Sequence, residues 1–419
     1  MTYGIVGFGT AGYHAVKAIR QFDKEGQIDV YCNTGLAPYN PMLTTYYASD
    51  RLSYEGMFPF GPLEPMQKEL DFNYITDTVT KVHAKEHRID TENESRNYDK
   101  ILIASGAHAF GPPVKGAEKE DVFFMRTIYD AESLKQRLEQ KNVKSAVVVG
   151  ASMVGIKIVE LLNRAGVRTC LADLAEYIFP LAAYRDVGEE IQKRITNMGI
   201  DLKFKATVDH VEVQNGQKVA CMTDGSVVPA DIIVLCIGTR ANTEIVKDEV
   251  AINRGIVVND KMETSEADIY AAGDCCEGNN LQSHQTQIIG LWANANHQGT
   301  VAGCSMTGHE AVFEGNILHN ITHFMDMDFI GFGDNRIKGE TLEYGNLKDG
   351  LFIRLVCENG HIAGANILDN YRISGIIKNY MLRLFSKEKQ KLPDFQRGML
   401  KKAGLSEKFM DEVEERIYG

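Results

Sequence analysis

One short glycine motif occurs twice in this chain, and each copy lies between an apolar strand-like run and a helical pattern. The copies are Gly7-Phe-Gly-Thr-Ala-Gly12 and Gly150-Ala-Ser-Met-Val-Gly155. A second strand-like run follows each helical pattern, at residues 28–32 and 167–173. A strand, a helix and a strand in this order form a unit whose two strands are parallel. The internal duplication therefore predicts an α/β fold with two parallel sheets.

The first copy has a glycine at each position where this kind of turn needs one. Gly7 permits the tight turn, Gly9 lets the backbone approach a pyrophosphate, and Gly12 lets the helix pack closely on the strand. The phosphates then lie against free N–H groups and the positive end of the helix dipole. The motif thus predicts a dinucleotide site. Asn33 stands where an acidic residue would accept from a ribose hydroxyl, and a neutral amide binds that hydroxyl less strongly.

The second copy has Ser152 in place of the middle glycine, a small residue whose hydroxyl can donate to a phosphate oxygen. Asp173 follows Gly150 by about twenty residues, where a carboxylate accepts from adenine-ribose hydroxyls. Residues 174–176 include no arginine, so a 2′-phosphate would meet an acid without a cation. This pattern predicts NADH in preference to NADPH. The alternative is an ordinary β-α-β turn with a solvated Asp173.

Composition limits the partners of this chain. Its 45 basic and 57 acidic residues give a net charge of −12, which disfavours nucleic acid and anionic membranes. The N-terminus has no basic region followed by an apolar signal core, and no apolar run is long enough to span a bilayer. Eight cysteines without a CxxC pair are typical of buried thiols in a reducing cytosol. We therefore expect a cytoplasmic protein.

Further motifs follow the first glycine turn in a fixed order. They are Pro38-Tyr-Asn-Pro-Met-Leu-Thr-Thr-Tyr-Tyr47, Ile237-Gly-Thr-Arg-Ala-Asn242, Ile269-Tyr-Ala-Ala-Gly-Asp274 and Trp292-Ala-Asn-Ala-Asn-His-Gln-Gly299. With these motifs the chain resembles the two-dinucleotide-binding-domain flavoproteins, most of all NADH:rubredoxin reductases and related NAD(P)/FAD-dependent oxidoreductases. The resemblance implies FAD at the first turn and NADH at the second.

The resemblance also implies a domain order. Residues 1–112 and 243–310 would form an FAD-binding domain, and an NAD-binding domain would be inserted at 113–242. Both domains would have Rossmann-like folds. β-Rich segments followed by two amphipathic helices predict a smaller α+β C-terminal domain with a helical tail at 311–419.

The same resemblance assigns residues to the cofactor sites. The helix that begins near Trp292 would direct its N-terminus at the flavin N1–C2=O edge, where hydride arrival adds negative charge. Asp274 would bind the ribityl hydroxyls, and Val79 would contact the adenine through its backbone. The remaining predicted cofactor-binding residues are Gly7, Gly9, Thr10, Ala11, Gly12, Asn33, Ser105, Gly106, Arg126, Gly150, Ser152, Met153, Val154, Gly155, Asp173, Gly238 and Gly273.

Three residues are expected to take part in the reaction: Lys157, Trp292 and Thr44. Relatives usually have a glutamate near the nicotinamide amide where this chain has Lys157. The lysine predicts a changed nicotinamide contact, a cation for an anionic acceptor, or lost use of NADH, and the alternative is a harmless helix residue. Because a cation is unfavourable at the positive end of a helix, we expect an anion beside Lys157.

Cysteine and histidine positions argue against thiol and metal chemistry. Disulfide reductases of this superfamily have a redox-active CxxxxC or one cysteine soon after strand two. This chain has only Cys32 nearby and none at 38–50, and a bond between the adjacent Cys275 and Cys276 would strain the peptide. His319 and His323 have i, i+4 spacing, but the residues between them favour a strand, so we expect no metal site.

The resulting hypothesis is an FAD-dependent NAD(P)H:acceptor oxidoreductase. It would take hydride from NADH and pass electrons from flavin to a small iron–sulfur protein such as rubredoxin, or to a small molecule, without a redox-active cysteine. The alternative is a flavoprotein electron-transfer subunit of a larger redox complex that does not itself use NADH efficiently. A homo-oligomer is compatible with either hypothesis.

Overall fold

The computed structural model describes residues 1–348, 350–385 and 390–419. Its strands are β1 (Thr2–Val6), β2 (Gln27–Tyr31), β3 (Asn73–Ile75), β4 (Val79–His83), β5 (Arg88–Thr91), β6 (Ser95–Asn97), β7 (Lys100–Ile103), β8 (Ala107–Ala109), β9 (Val122–Phe123), β10 (Ser145–Val149), β11 (Arg168–Asp173), β12 (Asp201–Phe204), β13 (Val208–Gln214), β14 (Gln217–Met222), β15 (Val227–Pro229), β16 (Ile232–Leu235), β17 (Thr239–Ala241), β18 (Ile269–Ala271), β19 (Gly278–Asn279), β20 (Thr286–Gln287), β21 (His319–Phe324), β22 (Met327–Gly333), β23 (Glu340–Gly345), β24 (Phe352–Glu358) and β25 (His361–Leu368). Its α-helices are α1 (Thr10–Phe22), α2 (Thr44–Ala48), α3 (Leu63–Leu70), α4 (Ile128–Glu139), α5 (Met153–Arg164), α6 (Arg185–Asn197), α7 (Trp292–Met306), α8 (Ser374–Leu384), α9 (Asp394–Lys402) and α10 (Glu407–Tyr418).

The chain divides into two compact units, and each unit is assembled from three separate segments. Unit 1 consists of Met1–Ala109, Arg126–Ala131 and Thr239–Asn316. Unit 2 consists of Phe110–Met125, Glu132–Gly238 and Ile317–Gly419. The segments predicted as the NAD-binding and C-terminal domains thus lie largely in one unit, while the predicted boundaries themselves remain expectations.

Unit 1 is built on a five-stranded parallel sheet in the order β18-β7-β1-β2-β3. The central strands are short and apolar, and Ile5, Val30 and Leu102 are fully buried in them. Such continuous apolar strands are typical of a parallel sheet that is covered on both faces. The strands β4, β5 and β6 form a separate antiparallel sheet in the segment that leads from β3 to β7.

Unit 2 contains the second parallel sheet, in the order β12-β11-β10-β16-β9. Its central strand β10 has the sequence Ser-Ala-Val-Val-Val and is buried throughout. An antiparallel sheet, β13-β14-β15, lies between β12 and β16 in the chain. The C-terminal part has a five-stranded antiparallel sheet, β21-β22-β25-β24-β23, followed by α8, α9 and α10.

The predicted fold class is therefore confirmed, with two β-α-β sheets and an α+β C-terminal part. The described part of the C-terminal region has three α-helices where the sequence predicts two, because α9 has only nine residues and Leu400 is its one buried residue. The segment with His319 and His323 is a strand, as its residues predict. Among the described residues, no helix has the length and apolarity needed to cross a membrane.

Candidate functional site

A cavity of about 490 Å³ lies in unit 1, next to the carboxyl ends of β1, β2 and β7. Ligands of open α/β sheets bind in this position, and the volume is that of an ordinary ligand pocket. Gly12, behind the glycine turn, is not among the described lining residues. The predicted FAD-binding residues that line the cavity are Gly7, Gly9, Thr10, Ala11, Asn33, Val79, Ser105, Gly106, Arg126, Gly273, Asp274 and Trp292.

The glycine turn between β1 and α1 has the shape of a phosphate cradle. Gly7 has φ +98°, and a Cβ there would lie 2.3 Å from the carbonyl oxygen of Ala104. A Cβ at Gly12 would lie 2.2 Å from the carbonyl oxygen of Gly7, so both positions require glycine. Gly9 differs, because no described protein atom lies within 4 Å of its Cβ position and the residue lines the cavity. The backbone is thus exposed to a ligand there, which fits a pyrophosphate.

Asp274 and Arg126 form an ion pair in the cavity wall. The Arg126 Nη2 donates to Asp274 Oδ2 at 2.5 Å, and its Nε donates to the carbonyl oxygen of Ala107 at 3.2 Å. Both side chains are mostly buried. A carboxylate has acceptor positions left beside one guanidinium, so Asp274 can also accept from hydroxyl groups. Acceptors for a polyol and donors for phosphate therefore lie in one cavity, which fits FAD.

The N-terminus of α7 adds a second positive helix end to this cavity. Trp292 and Ala295 line the cavity, and among the described residues α7 has neither a capping side chain nor an acid in its first turn. The first N–H groups of a helix lack partners inside the helix and favour negative charge. This is the environment that the family resemblance implies for the flavin N1–C2=O edge, and the contact with the flavin stays a prediction.

Two glycines to which the sequence analysis gave no role, Gly299 and Gly303, hold α7 against α1. A Cβ at Gly299 would lie 2.2 Å from the carbonyl oxygen of Ala11, and one at Gly303 would lie 2.5 Å from that of Ala15. The signal was present as a pair of glycines four residues apart on a predicted helix. Without side chains between them, the two helix N-termini lie side by side at the cavity.

An aromatic stack extends from the cavity wall. The Trp292 ring is stacked on Phe60 with a centroid distance of 5.8 Å, and Phe60 is stacked on Tyr13 at 4.2 Å. Phe60 lies in a loop far from Trp292 in the sequence, so no local pattern indicated this contact. The stack fixes the indole of Trp292, for which a direct part in the reaction is still a prediction.

Cysteines contribute little to the cavity. Among the residues described as lining it, Cys32 is the only cysteine, and its Sγ lies 3.2 Å from Thr34 Oγ1. Cys275 and Cys276 are free thiols and are buried. Burial raises the pKa of the Cys276 thiol well above its usual range, which disfavours its thiolate, whereas the hydrogen bond with Cys276 lowers the pKa of Cys275.

Thr44 is buried, and its hydroxyl donates to the carbonyl oxygen of Pro41 at 2.9 Å. Pro41 and Met42 line the cavity, whereas Thr44 is not among the described lining residues. The hydroxyl proton is therefore used inside this short turn. A catalytic role for Thr44 finds no support in its described contacts and stays a prediction.

The second glycine turn lies in unit 2 between β10 and α5. A Cβ at Gly155 would lie 1.9 Å from the carbonyl oxygen of Gly150. Ser152 caps α5: its Oγ accepts from the Gly155 N–H at 3.2 Å and donates to the carbonyl oxygen of Cys236 at 3.1 Å. The hydroxyl proton thus already has an acceptor within the protein, and donation from this hydroxyl to a phosphate stays a prediction. Of the other predicted residues, Met153 and Val154 begin α5, and Gly238 lies two residues after Cys236, whose carbonyl oxygen accepts from Ser152.

Asp173 ends β11 next to this turn. Its carboxylate accepts from the Ala151 N–H at 2.6 Å and from the Ala175 N–H at 2.7 Å. The carboxylate is therefore held at the carboxyl edge of the second sheet, where a ribose hydroxyl would bind.

Two cations lie close to this edge, contrary to the sequence analysis. Arg185 pairs with Glu176, and Lys205 Nζ lies 2.8 Å from Glu176 Oε1. Lys205 comes from the loop after β12, a neighbour of β11 in the sheet but distant in the chain. Both cations form ion pairs with Glu176. The negative charge of Glu176 and Asp173 at this edge is therefore partly compensated.

Lys157 is buried in unit 2 rather than open at the end of its helix. Its Nζ donates to Glu160 Oε2 at 2.8 Å and to the carbonyl oxygen of His323 at 2.6 Å. Glu160 also accepts from Arg164 and from the backbone N–H of Met325. The expected anionic neighbour is thus Glu160, and a buried ammonium needs such partners. A contact with the nicotinamide stays a prediction.

His319 and His323 do not form a joint site in the described structure. His319 Nε2 lies 3.1 Å from Lys378 Nζ, and burial together with this ammonium lowers the pKa of His319 to about 4. His323 instead contacts Asp328 at 2.7 Å. A neighbouring ammonium disfavours a metal cation at His319.

Comparisons with known proteins agree with this architecture. Residues 1–299 match the family described as pyridine nucleotide-disulphide oxidoreductase. An NADH oxidase of Methanocaldococcus jannaschii is 26% identical over 408 residues, which cover 91% of each chain. A rubredoxin-NAD(+) reductase of Acinetobacter baylyi is 26% identical over 66% of this chain and 72% of its own. The crystal structure of NADH:rubredoxin oxidoreductase from Clostridium acetobutylicum, 22% identical, superposes with a TM-score of 0.74 and covers 96% of this chain and 100% of its own.

The chain belongs to the pyridine nucleotide-disulphide oxidoreductase family. Its activity is that of an FAD-dependent NAD(P)H oxidoreductase, as the sequence predicted.

Proposed function

We propose that this chain is an NADH-dependent reductase that delivers electrons to a separate acceptor without a redox-active cysteine. The observation that carries the proposal is the cavity in unit 1. Cys32 is the only cysteine among the residues described there, and residues 38–50, where a redox cysteine would follow, contain none.

The chain's own residues supply binding and electrostatics. FAD, when bound, accepts a hydride and passes its electrons on. The open backbone at Gly9 and the N-terminus of α1 bind phosphate, and Asp274 accepts from hydroxyls. The N-terminus of α7 stabilises negative charge at the cavity.

We assign NADH as the preferred reductant. Asp173 is fixed at the sheet edge by two backbone N–H groups, and Glu176 adds a second acid nearby. A 2′-phosphate would have to approach both carboxylates, and the two local cations are already paired with Glu176. Repulsion by two carboxylates whose neighbouring cations are engaged disfavours NADPH.

A small iron–sulfur protein of the rubredoxin kind is the proposed acceptor. The Acinetobacter relative is a rubredoxin-NAD(+) reductase, which supports a carrier of this class. The Methanocaldococcus relative is an NADH oxidase, so oxygen or another small molecule is the second candidate. To distinguish the two candidates, the reduced enzyme is mixed with rubredoxin and, separately, with oxygen. The better acceptor is the one that reoxidises the flavin faster.

Anaerobic stopped-flow with NADH tests the proposal. The flavin band at about 450 nm should bleach on the timescale of turnover. The flavin of the Cys32→Ser variant should bleach at the same rate. The matched control is Cys304→Ser, which replaces a partly buried cysteine on α7. A thousandfold slower turnover in Cys32→Ser with flavin retained would show a thiol step. Slow bleaching of the unmodified protein by NADH but fast bleaching by dithionite would support the electron-transfer subunit instead.

A further inference from the structure

The hairpin of β13 and β14 in unit 2 brings three metal-binding side chains to one face. His210 lies opposite Cys221 in the strand register, just after an irregularity between Val208 and His210. Glu212 is two residues further along β13, so its side chain lies on the same face as that of His210. The ligand atoms of these three residues all lie within 4.8 Å of one another, and His210 Nε2 is 3.7 Å from Glu212 Oε2.

Neighbouring residues orient two of these side chains. Asp209 Oδ2 lies 2.8 Å from His210 Nδ1, which leaves Nε2 directed toward Glu212. Gln214 Nε2 donates to Glu212 Oε1 at 2.6 Å, which leaves Oε2 for a further partner. Metal-binding histidines usually donate their other ring N–H to a carboxylate in this way.

We propose that His210, Glu212 and Cys221 bind a Zn²⁺ ion. A set of one nitrogen, one oxygen and one sulfur donor suits Zn²⁺, which takes histidine, carboxylate and thiolate ligands in tetrahedral sites. Water completes the fourth position, since Glu212 is exposed and the other two side chains are partly exposed. Binding forms a sulfur–zinc bond and releases the Cys221 thiol proton to solvent, with no change of oxidation state.

The site is separate from the machinery described above. None of its residues lies among those described as lining the unit 1 cavity or on the second glycine turn. The ion would join β13 to β14 across the hairpin and so stabilise this sheet against opening. It is not required for FAD or NADH binding, and the proposal therefore does not depend on the proposed function.

The test uses full-length FAD-loaded protein that has been treated with chelator and dialysed. After equilibration with micromolar Zn²⁺ and gel filtration, elemental analysis should find about one zinc per chain. Cys221→Ser and His210→Gln should lose at least nine-tenths of this zinc, while Cys304→Ser should keep it. Flavin content, which should be equal in all four proteins, shows that the variants are folded.

Two measurements on the unmodified protein keep the test independent of the variants. Co²⁺ should give a sulfur-to-metal charge-transfer band, and Zn²⁺ should protect Cys221 but not Cys304 from alkylation. Zinc that binds only at millimolar concentration, or equally well in Cys221→Ser, would be an adventitious ion only and would overturn the proposal. Absence of the charge-transfer band with Co²⁺, or of the protection of Cys221 by Zn²⁺, would also overturn the proposal.

Discussion

The two glycine turns share one backbone plan but differ at the helix cap. In both, the last glycine packs against the carbonyl oxygen of the first, Gly12 on Gly7 and Gly155 on Gly150. Within the described structure α1 has no side-chain cap, whereas Ser152 caps α5 and binds one of its N–H groups. The first turn thus leaves its helix end free for a ligand, and the second satisfies part of it internally. The same motif does not produce the same electrostatic site.

The two turns also differ in the contacts of the residue two positions after the last glycine, which is His14 in the first turn and Lys157 in the second. His14 in α1 contacts the carbonyl oxygen of Thr10, within its own helix, at 2.8 Å. Lys157 in α5 reaches Glu160 and the carbonyl oxygen of His323 near the end of β21. The second helix is therefore joined to the C-terminal sheet by a buried charge.

The largest effect is expected from an alanine at the last glycine of either turn. Gly12→Ala should abolish FAD binding, because its Cβ would meet the Gly7 carbonyl oxygen at 2.2 Å and displace α1. Gly155→Ala should keep the flavin but slow its reduction by NADH by about a hundredfold or more, because the nucleotide is misplaced. Flavin content and stopped-flow rates measure the two effects.

Dithionite serves as the control for this pair, since it needs no nucleotide site and should reduce Gly155→Ala normally. If Gly155→Ala lost FAD as readily as Gly12→Ala did, the two turns would not have separate roles.

The second-largest effect is expected from the variant Lys157→Met, on the stability of the protein. It removes the buried ammonium beside Glu160, so that the described cation left to this carboxylate is Arg164, whose side chain is half exposed. The loss should cost about 3 kcal/mol of unfolding free energy. Urea unfolding measures the loss. Arg164→Met is the matched control, because it removes the other cation beside Glu160, and it should cost less than about 1 kcal/mol.

The Lys157→Met experiment also decides between two roles for this residue. A purely structural role leaves the NADH affinity of the folded protein unchanged. An altered NADH affinity with little loss of stability would instead place Lys157 at the nicotinamide.

Asp173→Ser should have a smaller effect, on the choice of nucleotide. Removing this carboxylate should lower the ratio of kcat/KM for NADH to kcat/KM for NADPH roughly thirtyfold, which corresponds to about 2 kcal/mol. Glu176→Gln is the companion variant, because it releases Arg185 and Lys205 from this carboxylate and should improve NADPH use. Unchanged ratios in both variants would contradict the assignment of this edge to the adenine ribose.

The smallest effects are expected at the middle position of each turn. Ser152→Ala should lower the unfolding free energy by about 1 kcal/mol, because α5 loses its cap. Gly9→Ala should weaken FAD binding roughly tenfold with little change in the stability of the apoprotein, since no described protein atom opposes its Cβ. Thermal unfolding and flavin titration measure these effects. Equal FAD affinity in Gly9→Ala would mean that the ligand does not approach this backbone.

Local patterns in the sequence were sufficient for the fold class and for the glycine turn of the first site. The contact of Gly12 with the Gly7 carbonyl oxygen lies within one β-α-β unit, among residues close in the chain, whereas Gly7 itself packs against the distant Ala104. The alternation of strands and helices likewise follows from local apolar periodicity. The motif around Asp274 came from resemblance, and the structure brings it to the same cavity as the first turn.

Contacts between distant segments were decided only by the tertiary structure. The burial of Lys157 depends on the carbonyl oxygen of His323, which is 166 residues away in the chain. The partner of Ser152 is the carbonyl oxygen of Cys236, at a separation of 84 residues. A sequence shows which groups can donate or accept a hydrogen bond, but the fold decides which of these groups are adjacent. A buried polar group is usually hydrogen-bonded, and its partner is whichever group the packing of distant segments brings next to it.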